Sequence, residues 1–271
     1  MTVTEQDVRG ALRSLGLAGG AVCVHSSLRS FGRVEGGARA VVDAFVAEGC
    51  TLLVPTFSSA YEVAPPAHLR FERNGWDYGR TRDEGRGDAG TYSTDSNVID
   101  KEMGAIPAEV LSRPGRVRGA HPLDSFAGLG PGAAALVSAQ SHADAYAPLA
   151  ALARERGRVL LAGVGLERMT LLHLAEKEAG RALFRRWARD ERGRVRAVEA
   201  GGCSEGFGKL GASLRTAGRS AVVGRSTWRL FDAAEALALA SEAIRKDPRI
   251  THCEEAACER CDDAVAGGPV L

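Results

Sequence analysis

The stretch AVCVHSSLRSFGRVEGGARAVVDAFVAEGCTLLVPTF, residues 21–57, decides the fold class. Its first residues, 21–27, form a short β-branched run that is typical of a buried strand, and the apolar spacing of 38–49 predicts an amphipathic helix. A second apolar run at 51–57 predicts the next strand. Because strand, helix and strand follow one another, this stretch predicts a parallel or mixed sheet covered by helices.

The flanking sequence continues this alternation. Further helices are predicted over 4–16, 103–113, 131–140, 147–156, 169–180 and 231–248, and single strands over 158–165 and 221–231. Residues 183–200 alternate apolar and polar side chains around a central glycine, which predicts an antiparallel hairpin. The prediction is an α/β fold, a central mixed sheet flanked by helices with an antiparallel β extension, in one domain over 1–271 with a Cys-rich tail at 250–262.

Composition excludes several classes of protein. Hydrophobic residues make up 45% and charged residues 25% of the 271 residues, which excludes a disordered or fibrous chain. With 35 basic and 34 acidic residues, the chain lacks the basicity of a dedicated nucleic-acid binder. No apolar run approaches the ~20 residues of a membrane-spanning helix, and residues 1–16 show no signal-peptide core. We therefore expect a cytoplasmic monomer or homodimer with no nucleic-acid or membrane partner.

The junction between the first predicted strand and helix is a candidate anion site. It contains Ser26, Ser27, Gly36 and Gly37. Backbone N–H groups and the helix dipole favour a phosphate at such a junction, and glycine allows a ligand to approach the main chain. The pattern is neither of the two common nucleotide-binding fingerprints. A plain connection between strand and helix is the alternative interpretation.

His173 and Glu176 lie three residues apart in a predicted helix that follows the strand at 158–165. Residues at this spacing share one helix face, so the imidazole and the carboxylate can meet. A carboxylate beside a histidine raises its basicity and fixes its tautomer, as a general base requires. A surface ion pair or a buried structural histidine is the alternative.

A third cluster, His121, Asp124 and Ser125, contains the residue types of a hydrolase triad. Triad members normally come from separated segments of the chain. A structural turn around Pro122, with Ser125 capping the next element, is therefore the preferred interpretation.

The C-terminal tail has the spacing of a small structural zinc site, which needs four sulfur or nitrogen ligands. The candidate ligands are four of the five residues Cys203, His252, Cys253, Cys258 and Cys261. Reduced thiols that bind no metal are the alternative. Cys23 and Cys50 lie in predicted strand surroundings and are interpreted as core thiols.

Five segments together resemble the aminoglycoside 3-N-acetyltransferase family, antibiotic N-acetyltransferases that do not have the GNAT fold. They are HSSLRSFGRVEGGARAVVDAF (25–45), GCTLLVPTFS (49–58), MGAIPAEVLSRPGRVRGAHPLDSFAGLGP (103–131), PLAALARERGRVLLAGVGLERMTLLHLAE (148–176) and, more loosely, FGKLGASLRTAGRSAVVG (207–224). They occur in the family's order and span most of the chain.

The resemblance implies direct transfer of an acetyl group from acetyl-CoA, as co-substrate, to an amine. It implies His173 as the general base and Glu176 as its orienting carboxylate. The coenzyme-binding residues that it implies are Ser26, Ser27, Leu28, Arg29, Val34, Gly36, Gly37 and, near the thioester, Thr170. Met169 stands where the family carries an asparagine.

The acceptor that the resemblance implies is an aminoglycoside, acetylated on the 3-amino group of its 2-deoxystreptamine ring. Recognition of such a polycation needs carboxylates around a cleft. The segment 72–102 carries Glu72, Asp77, Asp83, Glu84, Asp88, Asp95, Asp100 and Glu102 among several arginines, as an exposed mixed-charge loop also would. The predicted substrate-binding residues are Asp77, Glu102 and Asp124.

Other functions remain open at this stage. The acceptor can instead be a biosynthetic amine other than an aminoglycoside. The chain can also be a non-catalytic relative that binds a partner through its cysteine tail, or a hydrolase that uses Ser125.

Overall fold

The computed structural model describes residues 2–78, 90–190 and 192–271. Its strands are β1 (Thr2–Val3), β2 (Ala21–Ser26), β3 (Arg33–Val34), β4 (Thr51–Pro55), β5 (Val117–Arg118), β6 (Phe126–Leu129), β7 (Arg158–Ala162), β8 (Phe184–Arg189), β9 (Val195–Ala200), β10 (Gly218–Val223) and β11 (Ser226–Asp232). Its helices are α1 (Glu5–Ser14), α2 (Gly37–Ala47), α3 (Ala105–Ser112), α4 (Ala133–Ser138), α5 (Ala147–Arg154), α6 (Leu171–Glu178), α7 (Ala233–Lys246) and α8 (Glu259–Val265).

Within the described residues, seven strands form one mixed sheet in the order β10-β11-β7-β2-β4-β6-β5. The central strands β7, β2 and β4 run parallel, whereas the pairs at both edges are antiparallel. The hairpin of β8 and β9 forms a separate two-stranded sheet. The predicted fold class, a mixed sheet flanked by helices with an antiparallel extension, is confirmed.

The central strands are apolar on both faces because helices cover both sides of the sheet. Along β2, Cys23 packs into the core beneath α4 to α7, whereas its neighbours Val22 and Val24 pack into the core beneath α1 to α3. The same alternation places Leu53 and Leu52 of β4 on opposite sides. The side-chain period of two thus distributes one continuous apolar run between two cores.

The prediction of a single strand over 221–231 is wrong, because this segment belongs to two strands, β10 and β11. β10 and β11 form a hairpin whose last pair joins Val223 and Ser226 across a two-residue loop. Gly224 in this loop has φ of 61°, a backbone conformation that side chains disfavour. Apolar and polar residues alternate on both sides of the loop, so periodicity alone does not reveal the turn.

The C-terminal tail contains α8, which the sequence analysis did not predict. The buried thiols of Cys23 and Cys50 confirm their interpretation as core cysteines. In the described part of the chain, none of the helices combines the length and apolarity needed to cross a membrane.

Arg118 fixes the loop after residue 90 against the end of the sheet. Its buried guanidinium donates to the carbonyl oxygens of Thr56 at 2.7 Å, Ser96 at 2.8 Å and Val98 at 2.9 Å. It also donates to Ser125 Oγ at 3.0 Å. One side chain therefore satisfies acceptors from three separate segments.

Replacement of Arg118 tests this role. We expect Arg118→Met to lower the free energy of unfolding by about 3 kcal/mol, since buried acceptors lose their charged donor. Urea unfolding followed by circular dichroism measures the change. The control is Arg39→Met, because the Arg39 side chain is 77% exposed. A loss for Arg118→Met no larger than that of the control would show that the loop is held by other contacts.

Candidate active site

A cleft of about 1260 Å³ lies at the carboxyl ends of the parallel strands. Its lining includes Ser26 at the end of β2, Ser27 directly after it, Phe57 after β4 and Gly163 after β7. Ligands bind preferentially at this edge of an open α/β sheet, because the strands end there and the loops diverge. The predicted anion site therefore opens into this cleft.

His173 and Glu176 form a buried pair in the first two turns of α6. His173 Nδ1 lies 2.9 Å from Glu176 Oε2, and the two residues are 8% and 4% exposed. His173 lines the cleft, and Glu176 stands behind it. The helical spacing brings the two groups together as the sequence predicts.

The second oxygen of Glu176 is also used. Arg181 donates to Glu176 Oε1 at 2.5 Å and to Thr251 Oγ1 at 2.8 Å, and its other terminal nitrogen donates to the Pro248 carbonyl oxygen. Thr251 Oγ1 itself donates to Glu176 Oε1 at 3.3 Å. These donors stabilise the ionised carboxylate and hold it against the imidazole.

Aromatic rings and a glycine enclose the imidazole. The Tyr146 ring stacks on His173 at 5.8 Å between centroids, and Phe207 meets the imidazole ring edge-on at 4.8 Å. A Cβ atom on Gly201 would lie 2.8 Å from His173 Nε2 and 2.6 Å from the Tyr146 hydroxyl. Only glycine fits between these two side chains without displacing them.

Asp124 accepts hydrogen bonds from the two residues that pack against His173. Tyr146 donates its hydroxyl to Asp124 Oδ2 at 3.0 Å, and the Gly201 N–H donates to the same oxygen at 3.4 Å. Burial, together with the Asp124 charge, holds the pKa of Tyr146 well above its usual range. The phenol therefore stays protonated and anchors a carboxylate beside His173.

Most of the predicted coenzyme residues line the cleft. They are Ser26, Ser27, Leu28, Arg29, Val34, Gly37 and Thr170. Gly36 is not a lining residue and instead caps α2 with φ of 73°. His25 also lines the cleft, and burial lowers its pKa to about 4, so this imidazole carries no charge at neutral pH.

The predicted acidic residues fall into three groups. Asp124 and Glu102 line the cleft, whereas Asp77 is half-buried and is not a lining residue. Asp83, Glu84 and Asp88 lie outside the described residues. Charged lining residues that were not predicted to bind substrate are Glu62, Asp100, Glu167, Arg168, Arg186 and Arg260.

Comparison with known proteins supports the family resemblance. Residues 23–245 match the model of the family described as aminoglycoside 3-N-acetyltransferase. The chain belongs to this family. Two of its curated relatives are 35% identical to it: aminoglycoside N(3)-acetyltransferase IX of Micromonospora chalcea, over 64% of this chain, and aminoglycoside N(3)-acetyltransferase VIII of Streptomyces fradiae, over 62%. The aligned segments span 62% and 58% of those two relatives.

Solved structures of the family have the same fold. The apoenzyme of aminoglycoside acetyltransferase AAC(3)-IVa is 27% identical to this chain, with a TM-score of 0.78 and coverage of 98% of both chains. AAC(3)-Xa is 29% identical, with a TM-score of 0.71 and coverage of 90% of this chain and 93% of that structure.

The hypothesis that the chain is a hydrolase using Ser125 is wrong. Ser125 is fully buried and does not line the cleft, and its hydroxyl donates to the Thr56 carbonyl oxygen at 2.9 Å. His121 Nδ1 accepts the N–H groups of Leu123 and Asp124 at 3.2 and 2.8 Å. The segment is a structural turn, as preferred, although Ser125 bonds to a neighbouring strand end and not to a helix.

The metal candidates separate into two groups. The thiols of Cys203, Cys253, Cys258 and Cys261 converge. His252 does not join them, because its Nδ1 lies 3.0 Å from the Cys253 carbonyl oxygen and its Nε2 lies 3.1 Å from Asp262. Of the five candidate ligands, the structure therefore brings together the four cysteines and leaves His252 out.

Tyr146, Arg181 and Gly201 are parts of this site that sequence reasoning missed. Each reaches the pair His173 and Glu176 from another element, and no local motif marks it. The only available signal was that Arg181 directly follows the glycine that ends the predicted helix, and this pattern is common.

Loss of Arg181 tests the buried ion pair. We expect Arg181→Met to lower the free energy of unfolding by about 3–5 kcal/mol, because it leaves the Glu176 charge buried without its partner. Adding Glu176→Gln to this variant should recover part of the loss, since an amide carries no charge. Urea unfolding of the three proteins measures both effects.

The matched control is Lys246→Met, which breaks the exposed ion pair of Lys246 with Glu242. Exposed pairs contribute little to stability. If Arg181→Met were as mild as this control, the carboxylate would not depend on Arg181.

Proposed function

We propose that this chain transfers the acetyl group of acetyl-CoA directly to an aminoglycoside, at the 3-amino group of its 2-deoxystreptamine ring, with His173 as general base. The observation that carries the proposal is the 2.9 Å contact of His173 Nδ1 with Glu176, in an imidazole that lines the cleft of about 1260 Å³. Family membership supplies the reaction class.

The hydrogen bond to Glu176 selects the tautomer of the base. With Nδ1–H donating to the carboxylate, Nε2 keeps its lone pair. Nε2 lies beside Gly201, a residue of the cleft wall. An ammonium group bound there can transfer a proton to Nε2 and become a nucleophilic amine.

The neutral amine then attacks the thioester carbonyl carbon. A C–N bond forms, the C–S bond breaks, and the electron pair leaves with the sulfur. The nitrogen loses a second proton as it becomes an amide, and the sulfur takes up one proton to give the CoA thiol. Hydroxyl groups of Ser26 and Ser27 line the same cleft and are candidate donors to the oxyanion of the tetrahedral intermediate.

Two features support a polycationic acceptor. Asp124, held beside His173 by the Tyr146 hydroxyl, can bind an ammonium group next to the one that reacts. Glu102 adds a second lining carboxylate. Solved variants of the relative AAC(3)-IVa, 26–27% identical to this chain, hold a gentamicin and apramycin.

A second acceptor class is favoured by one observation. Arg186 lines the cleft with its guanidinium 5.0 Å from the centre of the Trp76 ring, and Arg260 lines the cleft as well. These cations suit an amine that also carries an anionic group, such as a biosynthetic intermediate. Thiol release from acetyl-CoA with a panel of aminoglycosides and acidic amines distinguishes the two classes.

Removal of the base is the first test. We expect His173→Ala to reduce the amine-dependent release of CoA thiol by roughly 10²–10⁴-fold, the usual contribution of a general base. The control is His68→Ala, an exposed histidine outside the cleft. Undiminished turnover of His173→Ala would remove the base from the mechanism, and absence of any amine-dependent release in the wild type would favour a binding protein.

Gly201 provides a second test that leaves every reacting group in place. We expect Gly201→Ala to lower kcat by roughly 10²-fold, because the new methyl group displaces the imidazole from its position and small misplacements are costly in catalysis. Its matched control is Gly208→Ala, where an added Cβ meets no atom within 4 Å. Equal kcat values for the two variants would contradict the close packing of Gly201 against His173.

A further inference from the structure

Four thiols from two distant parts of the chain converge beside the cleft. The Sγ atoms of Cys203, Cys253, Cys258 and Cys261 all lie within 4.8 Å of one another, and those of Cys253 and Cys261 are 3.6 Å apart. The six cysteines of the chain, all in the described ranges, carry free thiols. A cluster of four sulfur atoms is therefore available to bind an ion.

The separations suit a tetrahedral zinc ion. Zinc–sulfur bonds of about 2.3 Å place the sulfur atoms of a tetrahedral site about 3.8 Å apart. The 3.6 Å between Cys253 and Cys261 is close to this value. Since no two of the four Sγ atoms are more than 4.8 Å apart, the other thiols reach the tetrahedral spacing by shifts of about 1 Å or less.

The backbone around the thiols also matches a metal site. The Cys253 N–H donates to Cys261 Sγ at 3.4 Å, a contact that stabilises a thiolate. The Cys261 N–H donates to the Cys258 carbonyl oxygen at 2.9 Å, so the two cysteines of the CxxC segment lie on one tight turn. Both thiols are thus directed to the same side before any ion binds.

We propose that these four cysteines bind one structural zinc ion, which clamps the C-terminal segment onto the wall of the cleft. Cys203 stands between Gly202 and Ser204, both of which line the cleft. Arg260, inside the CxxC segment, also lines the cleft. A single ion therefore joins the two chain segments that carry these groups.

The two segments that the ion joins also contact the buried pair of α6, His173 and Glu176. Thr251, two residues before the ligand Cys253, donates to Glu176. Gly201, two residues before the ligand Cys203, packs against His173. The ion takes no part in the reaction and fixes the two segments that contact Glu176 and His173.

Zinc content tests the site without any assay of activity. The full chain, purified with a reductant and without chelator, is expected to contain about one equivalent of zinc by mass spectrometry of the element. Cys258→Ser and Cys261→Ser should each reduce this to under about a tenth of an equivalent. The control Cys50→Ser should keep its zinc, because Cys50 is a core thiol that donates to the Leu17 carbonyl oxygen, as a serine can.

Cobalt replacement gives a second measurement that does not require stable variants. Reduced wild-type protein with Co²⁺ in place of zinc should show the intense visible bands of tetrahedral thiolate coordination. Less than a tenth of an equivalent of zinc in the wild type, even after zinc is added under reducing conditions, would overturn the site. So would a disulfide between Cys253 and Cys261 in the freshly reduced and zinc-treated protein.

The clamp itself is tested by trypsin digestion with and without a zinc chelator. Faster cleavage after Arg249 and Arg260 in the chelated protein supports it, and an unchanged rate overturns it. Because zinc content and proteolysis are measured without substrate, their failure would leave the proposed acetyl transfer untouched.

Discussion

A single buried carboxylate, that of Glu176, determines how the cleft is organised. One of its oxygens meets His173 and the other meets Arg181. A carboxylate that is only 4% exposed costs considerable free energy unless its charge is compensated. Arg181 compensates it and is bound in turn by Thr251 and the carbonyl of Pro248. The orientation of the imidazole thus depends on the residues that follow α7.

This dependence explains why the residues after α7 matter to a cleft built mainly by the sheet. The parallel strands β7, β2 and β4 supply its floor, because their carboxyl ends meet at one edge. That edge alone offers backbone groups and small side chains, which suit a coenzyme. The pair of His173 and Glu176 comes from α6, and the C-terminal segment contacts α6 through Glu176.

The parts of the site that could be predicted from the sequence are those whose geometry is local. His173 and Glu176 share a helix face because of their spacing, and a strand end followed by Ser26 and Ser27 opens into the cleft. The contacts of Tyr146 and Gly201 with the imidazole depend on how separate elements pack. A sequence pattern carries no information on that packing.

The fold divides in the same way. The runs at 21–27 and 51–57 predict buried strands because β-branched and apolar residues fill both faces of a covered sheet. The turn at Gly224 escaped prediction, since the alternation of side chains continues through the two-residue loop. The tail shows a related limit. Its spacing offers five candidate ligands, and only the folded chain shows that four thiols converge while His252 contacts Asp262.

The charged residues that line the cleft limit which ligands can bind there. Asp124 is held beside His173 by the Tyr146 hydroxyl, so a carboxylate lies next to the imidazole in the cleft. Arg186 lines the same cleft, and its cation repels any ammonium group placed beside it. Under the proposed function, an aminoglycoside would place its other amino groups nearer to Asp124 and Glu102 than to Arg186. This distribution of charge, under the proposed function, favours some orientations of a polycation in the cleft over others.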